Sequence, residues 1–167
     1  MDGKALKTYM EWAVAYFNSV KDGDVTYSFN PKRRSSKYST NDFFGNVTYT
    51  VDLTRPEGQR ITQLAFAAGT PINDNTDIRL GMNSYRMGHL TQKGGVLEGQ
   101  SFPILSDTKQ EFGEEEGTIR QLAVRYLTEV KKGQYQGKPM HRWKLVGLNG
   151  YDKERQIVKN LINEGKI

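Results

Sequence analysis

The run VTYTVDL at residues 47–53 constrains this chain most. Its first five positions are all β-branched or aromatic. Such residues lose rotamer freedom in a helix and pack well on a pleated surface, so the run predicts a strand. The turn-forming RPEG at 55–58 follows at once, and RITQLAFAAGTPI at 60–72 then reads as a second strand with a turn at Gly69-Thr70. VTYSFNP at 25–31 alternates and stops at Pro31, TDIRLGMNSY at 76–85 reads as a third strand of the central group, and HRWKLVG at 141–147 as a closing one. A chain with this pattern is not a helical bundle. It predicts a meander of β elements around one core.

Helices are expected on either side. Asp2 can cap GKALKTYMEWAVAYFNSV, in which Leu6, Met10, Ala13 and Phe17 recur at helical spacing. The polar loop KRRSSKYSTND follows the strand at 25–31, and residues 86–117 read as loop. TIRQLAVRYLTEVKKG has carboxylates before it and Lys131-Lys132 at its end, both favourable to the helix dipole; Ile119, Leu122, Ala123, Tyr126, Leu127 and Val130 form its expected buried stripe. YDKERQIVKNLINEGKI supplies a last helix with Gly165 as its stop. The fold class expected is therefore α/β (α+β), a mixed central sheet with packed helices, in one domain at 1–147 carrying a C-terminal helical extension at 148–167. Trp12 and Trp143 are expected in the core.

Composition removes several functions. The 167 residues contain no cysteine, which excludes disulfides, thiol catalysis and Cys-ligated zinc. The net charge of +5 permits an anionic partner without demanding one. The basic residues are scattered apart from KRR at 32–34, and the aromatic residues do not form an RNA-stacking signature, so nucleic acid is not an expected partner. No apolar run reaches transmembrane length, and no leader peptide is read at the start. The two histidines, His89 and His141, stand far apart, and no metal-ligand run, nucleophile elbow or phosphate-cradling glycine loop is present. His89 lies in a Gly-flanked loop, open to solvent, backbone or ligand; His141 reads as structural. No catalytic residue and no metal ligand is expected in this chain.

Several blocks resemble a known family. GKALKTYMEWAVAYFN resembles its TGK-x-LK-x-YMEWSA helix, SFNPKRR its SFNP-x-x-R, and DFFGNVTYTVDLTRPEGQRI its DMF-x-GV-x-Y-x-IDIS-x-P-x-G-x-RI. GTPINDNTDIRLGMNSYRMG resembles its N-(N/S)-YR-x-GG region, and TIRQLAVRYL and HRWKLVG its late helix and closing strand. Together these look like the C-terminal domain of the 5′-nucleotidase family, with the bacterial 2′,3′-cyclic-nucleotide 2′-phosphodiesterase/3′-nucleotidase branch nearest. The resemblance implies a layered α/β/β/α arrangement. It also implies a division of labour. An N-terminal metallophosphoesterase domain of the same polypeptide holds two divalent metal ions and hydrolyses the phosphate ester. The C-terminal domain binds the nucleoside. No cofactor is expected in this chain itself, and the family's first strand and metal domain are expected upstream of it. An extracytoplasmic location, periplasmic, cell-wall or secreted, is implied for the parent protein.

The resemblance also assigns residues. Tyr85 matches the aromatic that stacks on the base, and Asn83 stands where an amide can reach base or ribose. Arg34 matches the arginine after SFNP, facing phosphate or ribose oxygens, and Arg86 is a second cation. Phe43 and Phe44 can reach the pocket, but one of them must anchor the next strand; Phe44 is carried as the substrate-binding candidate. Each residue keeps its plainer alternative: Tyr85 as a loop tyrosine, Asn83 as a turn former, Arg34 as a surface charge, Phe44 as core. The sequence departs from the family pattern at Gly88-His89, where a glycine pair is usual, and at Asn46, where glycine is usual. Two other functions stand beside this one: a free-standing module for nucleotides or polyanions, and a cell-surface interaction domain using the loops at 86–117 and the last helix.

Overall fold

The computed structural model describes residues 1–35 and 41–167, without the side chains of Arg34 and Ser35. The chain divides into two compact units, residues 1–100 with 141–167, and residues 101–140.

The first unit is built on helix α1 (Gly3–Val14) and a three-stranded mixed sheet. Asp2 caps α1 by accepting from the Ala5 N–H at 2.7 Å. The helix starts against the backbone at 73: a Cβ on Gly3 would fall on the Asn73 carbonyl oxygen, so only glycine permits this approach. The helix is buried along Ala5, Leu6, Tyr9, Met10, Ala13 and Val14. Strand β1 (Val47–Asp52) pairs antiparallel with β2 (Ile61–Phe66) and parallel with β3 (Trp143–Val146), giving the order β2-β1-β3. As the central strand β1 is buried on both faces, with Val47, Tyr49, Thr50 and Val51 all inside. Between Thr48 and Thr50 the β1–β2 register shifts; Gln63 takes up the irregularity at φ +54° and accepts the Thr50 hydroxyl at 2.9 Å.

Three expectations change here. Residues 25–31 form no strand; Phe29 makes a single bridge to Phe17, and a short helix α2 (Pro31–Ser35) begins at the proline, which is pre-set for a first helical turn. Residues 76–85 are not a strand beyond one bridge between Asp77 and Asp2. Instead Asn83 caps helix α3 (Ser84–Thr91), which begins in the stretch read as strand and runs into the one read as loop. Strand β2 stops at Phe66, where the Gly69 turn returns the chain so that Pro71 bridges Ala65.

Helix α6 (Asp152–Asn163) is held by Arg155, which pairs with Asp152 at 2.9 Å and donates to the carbonyls of Gly150 at 2.8 Å and Val25 at 3.3 Å. Gly165 follows at φ +67°, the left-handed stop expected of it.

The second unit holds α4 (Thr108–Phe112) and α5 (Ile119–Arg125), whose last turn widens to π geometry over Tyr126–Val130. Thr118 caps α5, and the Thr108 hydroxyl donates to the Gly117 carbonyl at 2.7 Å. The stripe expected to be buried is not: Ile119, Tyr126, Leu127 and Val130 are exposed. Within this unit the other helix is only five residues long, too short to cover a stripe of that length.

Candidate functional site

Among the described residues that the sequence singled out, Asn83, Tyr85 and Arg86 stand together at the start of α3, and Phe44 is buried in the core. Tyr85 lies in the first turn of α3 and is 60% exposed. Asn83 is spent on the helix: its side-chain oxygen accepts the Arg86 N–H at 2.7 Å. That bond fixes the turn carrying Tyr85 and leaves Asn83 with a cap's role. Arg86 is next along the turn, and its guanidinium is engaged by a carboxylate. Nε lies 2.9 Å from Asp42 Oδ2 and Nη2 lies 3.2 Å from Oδ1, a fork-to-fork pair with both side chains largely covered. Arg86 is thus braced against Asp42. Phe44 is the ring that anchors the core, packed edge-on to Tyr9 at 4.9 Å and against Tyr49; Phe43 is the exposed member of the pair, 5.2 Å from Trp143. The Arg34 side chain lies outside the described residues.

A cluster that the sequence reading passed over sits beside this turn. Tyr9 donates to Asp42 Oδ2 at 2.6 Å. Burial, followed by this bond to the carboxylate, holds the Tyr9 hydroxyl well above the usual tyrosine range, so it is neutral and a donor. Trp12, expected in the core, is only half-buried. The Arg33 guanidinium lies 4.1 Å from its ring centroid, that of Arg86 lies 5.2 Å away, and the His89 ring 5.6 Å. Burial, then the neighbouring Arg86 charge, lowers the Arg33 pKa. His89 is placed on the last turn of α3, with Nδ1 3.2 Å from the Gln92 amide. The signal for this cluster was present in YMEW: Tyr9 and Trp12 are three apart and share a helix face, their rings 6.1 Å apart.

A shallow groove of about 570 Å³ runs along α1, lined among others by Lys4, Lys7, Trp12, Glu57 and Asp74. Of the described candidates, none of Asn83, Tyr85, Arg86 and Phe44 lines it. Among the described residues no three His, Asp or Glu side chains come together as metal ligands, so no metal-dependent step is built on them. Among the same residues no helix is long and apolar enough to cross a membrane.

What the first unit defines is a mixed α/β domain with an aromatic presented on a capped helix start. Residues 1–93 match the family model of the 5′-nucleotidase C-terminal domain, and the chain belongs to that family. The match takes in α1, β1, β2 and all of α3, and so includes Tyr85 and the cluster around Trp12. A presumptive 5′-nucleotidase from Staphylococcus aureus, crystallised with α-ketoglutarate, has a similar fold: TM-score 0.57 and 21% identity over 87% of this chain. This chain spans 26% of that chain's length. No curated protein matches the sequence at comparable significance.

Proposed function

We propose that this domain recognises the nucleoside part of a nucleotide for a two-domain metallophosphoesterase. In this reading, hydrolysis with two divalent metal ions belongs to a partner domain of the same, extracytoplasmic polypeptide. The observation that carries the proposal is the Tyr85 ring, more than half exposed on a helix turn fixed by a side-chain cap and by the Arg86–Asp42 pair. A large exposed aromatic on rigid backbone loses little entropy when a planar base stacks on it. Stacking contributes roughly 1–3 kcal/mol and accepts any base, which suits an enzyme of broad nucleotide range. The finer assignment, to cyclic-nucleotide phosphodiesterase and 3′-nucleotidase activity, rests on the resembling sequence blocks at 3–18, 28–34, 42–61, 69–88, 118–127 and 141–147 taken together.

The test uses the whole protein that carries this chain, with 5′-AMP, 3′-AMP and 2′,3′-cyclic AMP as substrates. Tyr85→Ala raises KM by about thirtyfold, the middle of the stacking range, with kcat little changed. A loss of kcat at unchanged KM contradicts the stacking role. Hydrolysis of 5′-AMP alone contradicts the cyclic-nucleotide assignment and leaves the stacking role standing.

A further inference from the structure

Arg86 is restrained twice: its backbone N–H by the Asn83 cap at 2.7 Å and its guanidinium by both oxygens of Asp42. Asp42 is in turn held by the Tyr9 hydroxyl, which donates to its Oδ2 at 2.6 Å. Tyr9 belongs to α1, is 4% exposed, and packs its ring on Phe44. A continuous chain of contacts therefore runs from the most buried helix, through one carboxylate, to the turn that carries Tyr85. The cap alone fixes the backbone of that turn but not its placement on the domain. Asp42 supplies the placement, since it bonds to α1 and to α3 at once. The Arg86 guanidinium also lies over Trp12, on the next turn of α1 from Tyr9, so the same helix supports it twice.

We propose that Asp42 is a positioning residue for nucleotide recognition, fixing the first turn of α3 on α1 so that the Tyr85 ring is presented in one orientation. The proposal rests on Tyr85 being the base-stacking ring. It assigns Asp42 no contact with the ligand. A carboxylate is needed because only an ionised group accepts two parallel guanidinium bonds and a phenol together. Asn in its place keeps the shape but can offer only one oxygen.

The test is hydrogen exchange over residues 83–88 together with titration by 5′-AMP, on this chain and its Asp42→Asn variant. The variant exchanges about tenfold faster at the α3 amides while α1 and β1 keep their protection, and its AMP affinity falls by a similar factor. Tyr9→Phe keeps the ring on Phe44 and removes only the hydroxyl. It carries the same prediction at about threefold, and decides the matter if Asp42→Asn does not fold. Unchanged exchange over 83–88 overturns the brace. Faster exchange with unchanged AMP affinity overturns the positioning role. If the unaltered chain binds no AMP, the stacking role of Tyr85 falls, and the exchange result still decides whether Asp42 fixes the turn.

Discussion

A charged residue that is 1% exposed must be met by acceptors on every side, and Arg60 is. Its guanidinium donates to the carbonyls of Phe17 at 2.8 Å, Val14 at 3.4 Å and Arg55 at 3.3 Å, and to the Ser19 hydroxyl at 2.8 Å. Val14 is the last residue of α1, so the cation sits at the negative end of the helix. One turn earlier, the buried Glu11 carboxylate accepts the backbone N–H groups of Arg60 at 3.0 Å and Ile61 at 2.6 Å. Together they bolt the start of β2 to the end of α1. Replacing Arg60 by Ala takes the donor from the Phe17 and Arg55 carbonyls, while Val14 keeps the Phe17 N–H at 3.1 Å, and destabilises the domain by about 3 kcal/mol, read as a lowered midpoint in denaturant. A loss under about 1 kcal/mol contradicts this account. None of it was legible from RPEGQRI, because an arginine opening a strand normally faces water. Its burial depends on where α1 ends in space. Trp12 shows the same limit from the other side: it was expected in the core, and it is half-buried with the Arg33 and Arg86 guanidinium groups over its ring.

Elements were legible where the chain carries local instructions. The β-branched run makes β1, Asp2 opens α1, and Gly165 closes α6. Helix α3 was not legible. Glycines at 81, 88, 94 and 95 suppress helical propensity, and the residues before Asn83 alternate like a strand. Its one strong signal was the asparagine itself, which the opening of the helix uses as a cap. Asn83→Ala removes that bond and costs about 1 kcal/mol of local helix stability, seen as faster amide exchange from Ser84 to Met87. Equal exchange in the two proteins contradicts the capping role. The same reasoning explains the candidate site: Tyr85 was named from the run 83–86, but its partners come from α1 and from Asp42. Long-range pairing of that kind leaves no periodicity to read. The stripe on α5 failed for a related reason, since amphipathic spacing specifies a face and not what covers it.

At the scale of the molecule, the family match and the aromatic site fall in the same unit. Residues 1–93 match the family model, and β3 returns from residue 143 to complete the sheet around β1. The Tyr49 and Trp143 rings stack across that parallel pair at 6.2 Å, so the central strand is closed on the side opposite β2. On this frame sit the exposed Tyr85, a capped turn beneath it and a carboxylate that ties the turn to the core. The central claim is that Tyr85 meets a nucleobase, and the ring protons of Tyr85 report it directly. Titration of the chain with 5′-AMP, followed by NMR with tyrosine side chains labelled, shifts the Tyr85 ring resonances upfield with a saturable curve that Tyr85→Ala abolishes. Saturable binding that leaves those resonances unmoved, and persists in Tyr85→Ala, contradicts it.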